Sequence, residues 1–192
     1  MENSNLSYGE ILEQEIEGPN NIKPKIDNLM QVTDRVLESL HNLAMNLRPV
    51  SLDHLGLNPA LEQLINEVSE HYHLKIRFKN IGFREGERLP EEIETSLYRI
   101  IQEALTNAVR HANASLVDVI LERQDKMIVV IVEDNGSGFD TDSIQRSGHL
   151  GLLGMEERAQ MLLGELHIES KLGEGTTILV EIPYVHERIN RG

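Results

Sequence analysis

Three stretches of this 192-residue chain carry side chains suited to chemistry. The first is V-V-I-V-E-D-N-G-S-G-F at residues 129–139, where an apolar run ends on a carboxylate and two glycines spaced Asp134-x-Gly136-x-Gly138. A single acid beside backbone without Cβ atoms suits a flat heterocycle that lies against the chain and offers it an amine. Taken alone, the same Asp-Asn-Gly run reads first as a hairpin turn, because Asn and Gly tolerate positive φ. The second stretch is R-I-I-Q-E-A-L-T-N-A-V-R-H at residues 99–111. Arg99, Glu103, Asn107 and His111 fall at steps of four and share one helix face. Ile100, Ile101, Ala104, Leu105, Ala108 and Val109 supply the buried side. Such a polar face usually serves only solvation, but a mid-helix Asn is a weak helix former. The Asn107 amide oxygen suits a hard cation such as Mg²⁺, which keeps several waters and takes few protein oxygens beside phosphates. Arg110 and His111 are placed to meet phosphate oxygens. The third stretch, G-H-L-G-L-L-G-M-E-E-R, sets Gly148, Gly151 and Gly154 three apart at a helix start. Free N–H groups and the helix dipole favour an anion there, although packing glycines in a lid would look the same. No G-x-x-x-x-G-K-[ST] occurs and no G-x-G-x-x-G follows a strand, so neither a Walker loop nor a dinucleotide fold is indicated. Gly173-Glu-Gly175-Thr176-Thr177 reads as a hairpin whose hydroxyls are able to reach a base.

The elements that must position these groups follow from periodicity. Leu29, Val36 and Leu43 repeat every seven residues, interleaved with Thr33, Leu40 and Leu47. That seam predicts a coiled-coil or four-helix-bundle helix over residues 29–47, ended by Pro49 and needing a partner helix to bury its stripe. A short helix is expected within 8–17, a second longer one from about 59 to 71, and an alternating strand over 74–79. Residues 82–90 form a turn-rich connection, and 91–112 a long helix with acids in its first turn and basic residues near its end. Strands near 115–121 and 127–132 flank a hairpin turn, and 135–148 reads as a mobile loop. A helix over 152–163 is expected to be C-capped by Gly164, with antiparallel strands at 166–170 and 176–183 closing the chain. The order predicts an α+β fold: a two-layer sandwich with a mixed, mostly antiparallel sheet covered on one face by helices, preceded by the bundle helix.

Composition narrows the class. Hydrophobic residues make up 40% and charged residues 26%, as in ordinary soluble proteins. The formal net charge of −14 argues against a general nucleic-acid surface, which needs a basic footprint. Any anionic ligand must then be held by local donors. The absence of cysteine removes disulfides and thiolate chemistry and fits the cytoplasm. No apolar run is long enough for a membrane segment, and the N-terminus lacks signal-peptide character.

Together, in this order and spacing, the four motifs resemble the ATP-binding domain of the GHKL superfamily, which includes sensor histidine kinases, type II topoisomerases, MutL-type repair proteins and heat-shock chaperone ATPases. The resemblance covers roughly residues 58–183 and implies a Bergerat-type sandwich. Glu103–His111 looks like the N box, Asp134–Gly138 the G1 box, Gly151–Gly154 the G2 box and Gly175–Thr177 the closing Gly-Thr element. The resemblance implies that Asp134 accepts from the adenine amine, with Gly136 and Gly138 giving clearance. It implies that Asn107 ligates Mg²⁺, with Glu103 positioning water or a proton. The phosphates fall to Arg110, His111 and the amides of Gly151, Leu152, Gly154 and Met155, and Thr176 and Thr177 reach the base. Upstream, N-L-A-M-N-L-R-P-V-S-L-D-H-L-G-L-N-P-A-L is similar to the end of the dimerisation helix in NarX/DesK-type sensor histidine kinases. R-H-A-N-A-S after the N box and the short lid also suit that subfamily.

One departure concerns the phosphoacceptor. That family carries it in a context such as Glu-Leu-His-Asp, and none of the eight histidines fits. His41, in S-L-H-N, comes nearest but lies seven residues before Arg48-Pro49 and lacks the activating acid. The first bundle helix is therefore expected to be missing or reduced to its last turns near residues 11–17. The resemblance implies a partial dimerisation region over 1–57 and an ATP-binding domain over 58–192. Its expected partners are ATP, a response regulator and the phosphoacceptor helix of a histidine kinase, with a homodimer formed through 29–47. This chain alone is expected to bind nucleotide without autophosphorylating. A non-catalytic regulator or pseudokinase pairing with an intact kinase, and an anti-sigma-type serine kinase, are the alternatives.

Overall fold

A computed structural model describes residues 50–140 and 150–184, together with residues 26, 28, 30, 32 and 33. The chain divides into two units, Met1–Arg48 and Pro49–Gly192. In the first, Ile26, Asn28, Met30, Val32 and Thr33 are helical and exposed. The expected helix at 8–17, most of that at 29–47, His41 and Gly148 lie outside the described residues.

In the second unit the elements run α1 (Val50–Leu55), α2 (Leu57–Tyr72), β1 (Lys75–Ile81), α3 (Glu91–Arg110), β2 (Leu116–Arg123), β3 (Met127–Asp134), α4 (Leu150–Met161), β4 (Glu165–Lys171) and β5 (Gly175–Pro183). The sheet order is β1-β2-β3-β5-β4. β1 and β2 are parallel, as a crossover through α3 requires, and every other pair is antiparallel. The fold is thus the α+β sandwich that the periodicity predicts.

Strand alternation builds the core. Val117, Val119 and Leu121 of β2, Ile128, Val130 and Val132 of β3, and Ile178, Val180 and Ile182 of β5 are all buried. They join one cluster with Leu97, Ile100, Ile101, Ala104, Leu105 and Ala108 of α3. The opposite face carries polar groups such as the Arg77–Asp118 ion pair, Glu133 and Glu169. Burying α3 along its apolar stripe fixes the azimuth of its polar one, so Glu103 and Asn107 are aimed by the core rather than by local propensity.

Two helix ends differ from expectation. Residues 50–55 form a helix directly after Pro49, which is compatible with a proline that precedes the first turn. Gly56 at φ 89 separates it from α2, which starts at Leu57 with Pro59 inside its first turn. α4 ends at Met161, and Leu163, at φ 56, takes the left-handed position expected of Gly164. Gly164 is needed for a different reason. A Cβ there would stand 3.1 Å from Ile182 Cγ1 and closer still to the Glu181 carbonyl, so the turn can pass beside β5 only without one.

Candidate functional site

Asp134 is the last residue of β3, opposite Thr176 of β5. The two-residue period puts both side chains on the helix-covered face, in line with Val132 and Ile178. Asp134 is half-buried, and loss of solvent pushes its carboxyl above the ordinary value of 3.8. Hydrogen bonds from the Gly136 amide and from the hydroxyl and amide of Thr176 offset part of that rise. The Gly136 N–H donates to Asp134 Oδ1 at 2.7 Å.

The segment after Asp134 is fastened on both sides. The Ser137 amide donates to the Ala112 carbonyl at 2.7 Å, and the Gly173 amide donates to the Ser137 carbonyl at 2.7 Å. A Cβ at Gly136 would lie 2.5 Å from Ala112 Cβ. At Gly138, with φ +56, it would lie 2.8 Å from the Gly175 carbonyl and nearer still to that of Lys171. Both glycines are therefore required by the protein's own backbone, whereas the sequence suggested clearance for a heterocycle. Gly138→Ala is expected to cost about 3 kcal/mol, since a strained φ adds to overpacking. A urea midpoint equal to that of the wild type would contradict this.

In the second half of α3, Glu103 and Asn107 are half-buried, and their side chains have no hydrogen-bond or ion-pair partner among the described residues. The first turn of α4 lies against this face, because a Cβ at Gly151 would stand 3.0 Å from Glu103 Cδ. One turn before Glu103 in α3, Arg99 donates to Gln102 Oε1 at 2.7 Å, with burial and the neighbouring Arg158 lowering its pKa. Asn107 through its backbone carbonyl accepts from the His111 amide at 2.9 Å. Arg110 and His111 are exposed at the end of α3, on the Asp134 side, about 12 Å of helix rise beyond Glu103 for His111.

The structure sorts the remaining candidates. Gly151 and Leu152 lie in the first turn of α4, where N–H groups have no partner within the helix. Gly154 and Met155 fall in the second turn, whose amides close onto the preceding one, and the Met155 side chain is fully buried in the core. Gly154 instead leaves room for Arg158, whose guanidinium donates to the Gly154 carbonyl. Thr176 is buried beside Asp134, while Thr177 pairs with Glu133 and Glu169 on the outer face, away from Asp134. Two supporting residues went unread in the sequence. Asn135 Oδ1 accepts from the amides of Ser115 and Leu116, both at 2.9 Å, and so pins the start of β2 to the end of β3. The Ser170 hydroxyl touches three partners next to Thr176. Asn135 was visible only as a turn former, and nothing local marked Ser170. No group of three or more His, Cys, Asp or Glu is placed to hold a metal among the described residues.

Comparison with known proteins agrees with the fold. Residues 92–186 match the family described as histidine kinase-, DNA gyrase B-, and HSP90-like ATPase. The chain is 40% identical over 163 residues to the signal transduction histidine-protein kinase/phosphatase DegS of Brevibacillus brevis, covering 85% of this chain and 42% of that protein. It is 35% identical over 161 residues to the oxygen sensor histidine kinase NreB of Staphylococcus carnosus, covering 82% and 46%. The chain thus spans less than half the length of these curated relatives. Among solved structures, the histidine kinase domain of the Erythrobacter litoralis EL346 blue-light activated histidine kinase superposes with a TM-score of 0.51 at 25% identity, covering 64% of this chain and 58% of that one. With an acid-ended strand, an Asn and a Glu without partners among the described residues on the facing helix, and homology to sensor histidine kinases over most of the chain, residues 92–186 are a histidine kinase-, DNA gyrase B- and HSP90-like ATPase domain, homologous to the ATPase domain of sensor histidine kinases.

Proposed function

We propose that this chain is the ATP-binding catalytic portion of a NarX/DesK-type sensor histidine kinase, moving the γ-phosphoryl of ATP to a histidine on a dimerisation helix. None of the histidines in this chain has the acceptor's sequence context, so the acceptor lies outside these 192 residues. The observation that carries the reading is the single polar track along α3. Half-buried Asp134 stands at one end, Glu103 lies beneath the first turn of α4 at the other, and Asn107 sits one turn of α3 from Glu103, both without partners among the described residues. Asp134 accepts from the adenine amine, Thr176 supports it, and Gly136 and Gly138 let the flanking loop close. Arg110 and His111, at the end of α3, meet the phosphate oxygens nearer the base. The first-turn amides of Gly151 and Leu152 receive the terminal phosphates.

Asn107 fits Mg²⁺ because its amide oxygen is uncommitted among the described residues and the site offers few protein ligands, which is how this ion is held beside phosphates. The bound ion neutralises phosphate charge. In the transfer, the γ-phosphorus exchanges its bond to the ADP oxygen for one to an imidazole nitrogen, and Glu103 holds the ring proton. The protein's share is positioning and charge complementarity. We assign residues 1–57 to the dimerisation region and linker and 58–192 to the ATP-binding domain, with a homodimer through 29–47, a response regulator as onward acceptor, and the cytoplasm as location. No helix among the described residues is long and apolar enough to cross a membrane.

Incubation with labelled ATP and an acceptor helix in trans is expected to give acid-labile phosphohistidine on that helix and none on this chain. Nucleotide binding without transfer would favour a pseudokinase, and phosphoserine on a protein partner would favour a serine kinase. Asn107→Ala is expected to weaken ATP binding about tenfold in the presence of Mg²⁺ and little in its absence. Equal losses with and without the ion would remove Asn107 from the metal.

A further inference from the structure

A polar row crosses three neighbouring strands on the inner face. Asp134 of β3 stands opposite Thr176 of β5, and Thr176 stands opposite Ser170 of β4. Ser170 Oγ lies 3.0 Å from Thr176 Oγ1 and donates to the Gly175 carbonyl at 2.9 Å. It also accepts from the Phe139 amide at 2.9 Å. One hydroxyl thus touches the residue beside Asp134, the hairpin at 171–175 and the loop that follows Gly138.

Proton counting gives the row a direction. The Asp134 carboxylate only accepts, so the Thr176 hydroxyl spends its single proton there. With that proton committed, the 3.0 Å contact lets Thr176 Oγ1 accept from Ser170 Oγ in a three-centre bond whose other acceptor is the Gly175 carbonyl. Ser170 therefore holds the Thr176 rotor in the orientation that serves Asp134, and it binds the loop to the same point. Thr176 is itself buried, at 8% exposure, so water cannot readily replace the lost donor.

We propose that Ser170 is a positioning residue that sets the base selectivity of the site through Thr176 and Asp134. This rests on the reading of Asp134 as the acceptor for the adenine amine. Guanine presents a carbonyl where adenine presents that amine, so a well-held carboxylate rejects it and a loosened one discriminates less.

The test is the ratio of ATP to GTP affinity, measured calorimetrically with Mg²⁺ on the full chain. Ser170→Ala is expected to lower ATP affinity about tenfold, one hydrogen bond's worth, while GTP binding changes little, so the ratio collapses by about the same factor. Ser170→Thr, which keeps the hydroxyl, restores it. An unchanged ratio in Ser170→Ala overturns the proposal, as does an equal loss for both nucleotides accompanied by a lower melting temperature, the mark of a purely structural role. Asp134→Asn separates the two levels. If it abolishes the ATP preference while Ser170→Ala keeps it, the Ser170 proposal alone falls. If Asp134→Asn itself keeps the preference, the adenine reading falls and takes Ser170 with it.

Discussion

Asp134→Asn is expected to lower ATP affinity on the order of a hundredfold while raising the melting temperature of the nucleotide-free protein. The two effects share one cause. The Asp134 carboxyl is held in a half-buried position where loss of solvent raises its pKa. A carboxyl whose folded pKa exceeds its unfolded value binds more protons in the native state, so stability falls as pH rises from about 3.8 through the raised value. At neutral pH the ionised group therefore costs stability. Asparagine removes the charge and keeps an oxygen for the Gly136 amide and the Thr176 donors. Its NH₂ group, however, faces the adenine amine with a donor where an acceptor is needed. The same linkage predicts that ATP binding weakens on acidification at a higher pH than an ordinary aspartate would give. Titration calorimetry and thermal melts without nucleotide check both halves. Unchanged affinity would count against the adenine contact, and a lower melting temperature would count against the cost of burial.

The second large effect lies at the other end of α3. Glu94, in its first turn, is fully buried at 0% exposure. Its carboxylate accepts from the Leu89 amide at 3.0 Å and from Arg88 Nε and Nη2 at 3.0 and 2.8 Å. Arg88 also donates to the Asp53 and Leu52 carbonyls at 3.2 and 3.3 Å, satisfying the C-terminus of α1. Gly56 completes the cluster, because a Cβ there would come within 2.8 Å of Arg88 Cδ. Arg88→Met leaves a buried carboxylate with one donor and frees the end of α1. Removing one partner of a buried pair costs about 3–5 kcal/mol. The Arg88 side chain is 44% exposed, so solvent screening places the effect near the lower bound. A melting temperature lower by about 8 °C follows for a protein of this size. Combining Arg88→Met with Glu94→Leu is expected to recover most of that loss, since a buried pair exchanged for apolar groups is often neutral. A double variant as unstable as the single one would show that α1 depends on Arg88 itself.

Most elements were legible because they are written in local pattern. The alternation of 127–132 and the stripe of 91–112 each need a buried face, and burial is what the sheet and α3 supply. The acid ending β3 and the Glu103–Asn107 step of four are likewise local. Helix ends were read less well, since a tertiary contact decided them: Gly164 is spent on its approach to β5, leaving the left-handed turn to Leu163.

By itself the sequence determined that an acid ends an apolar strand, that a Glu and an Asn share a helix face, and that glycines open the next helix. Strand and helix periods, 2.0 and 3.6 residues, place such groups without reference to distant chain. Only the tertiary structure decided that Thr176 joins Asp134 while Thr177 turns away, because strand register sorts two adjacent threonines onto opposite faces. It alone showed that Gly136 and Gly138 clear the protein's own backbone, that Met155 belongs to the core, and that Ser170 closes the row beside Asp134. Each of these rests on contacts between segments far apart in the chain, where close packing rather than local propensity chooses the neighbour.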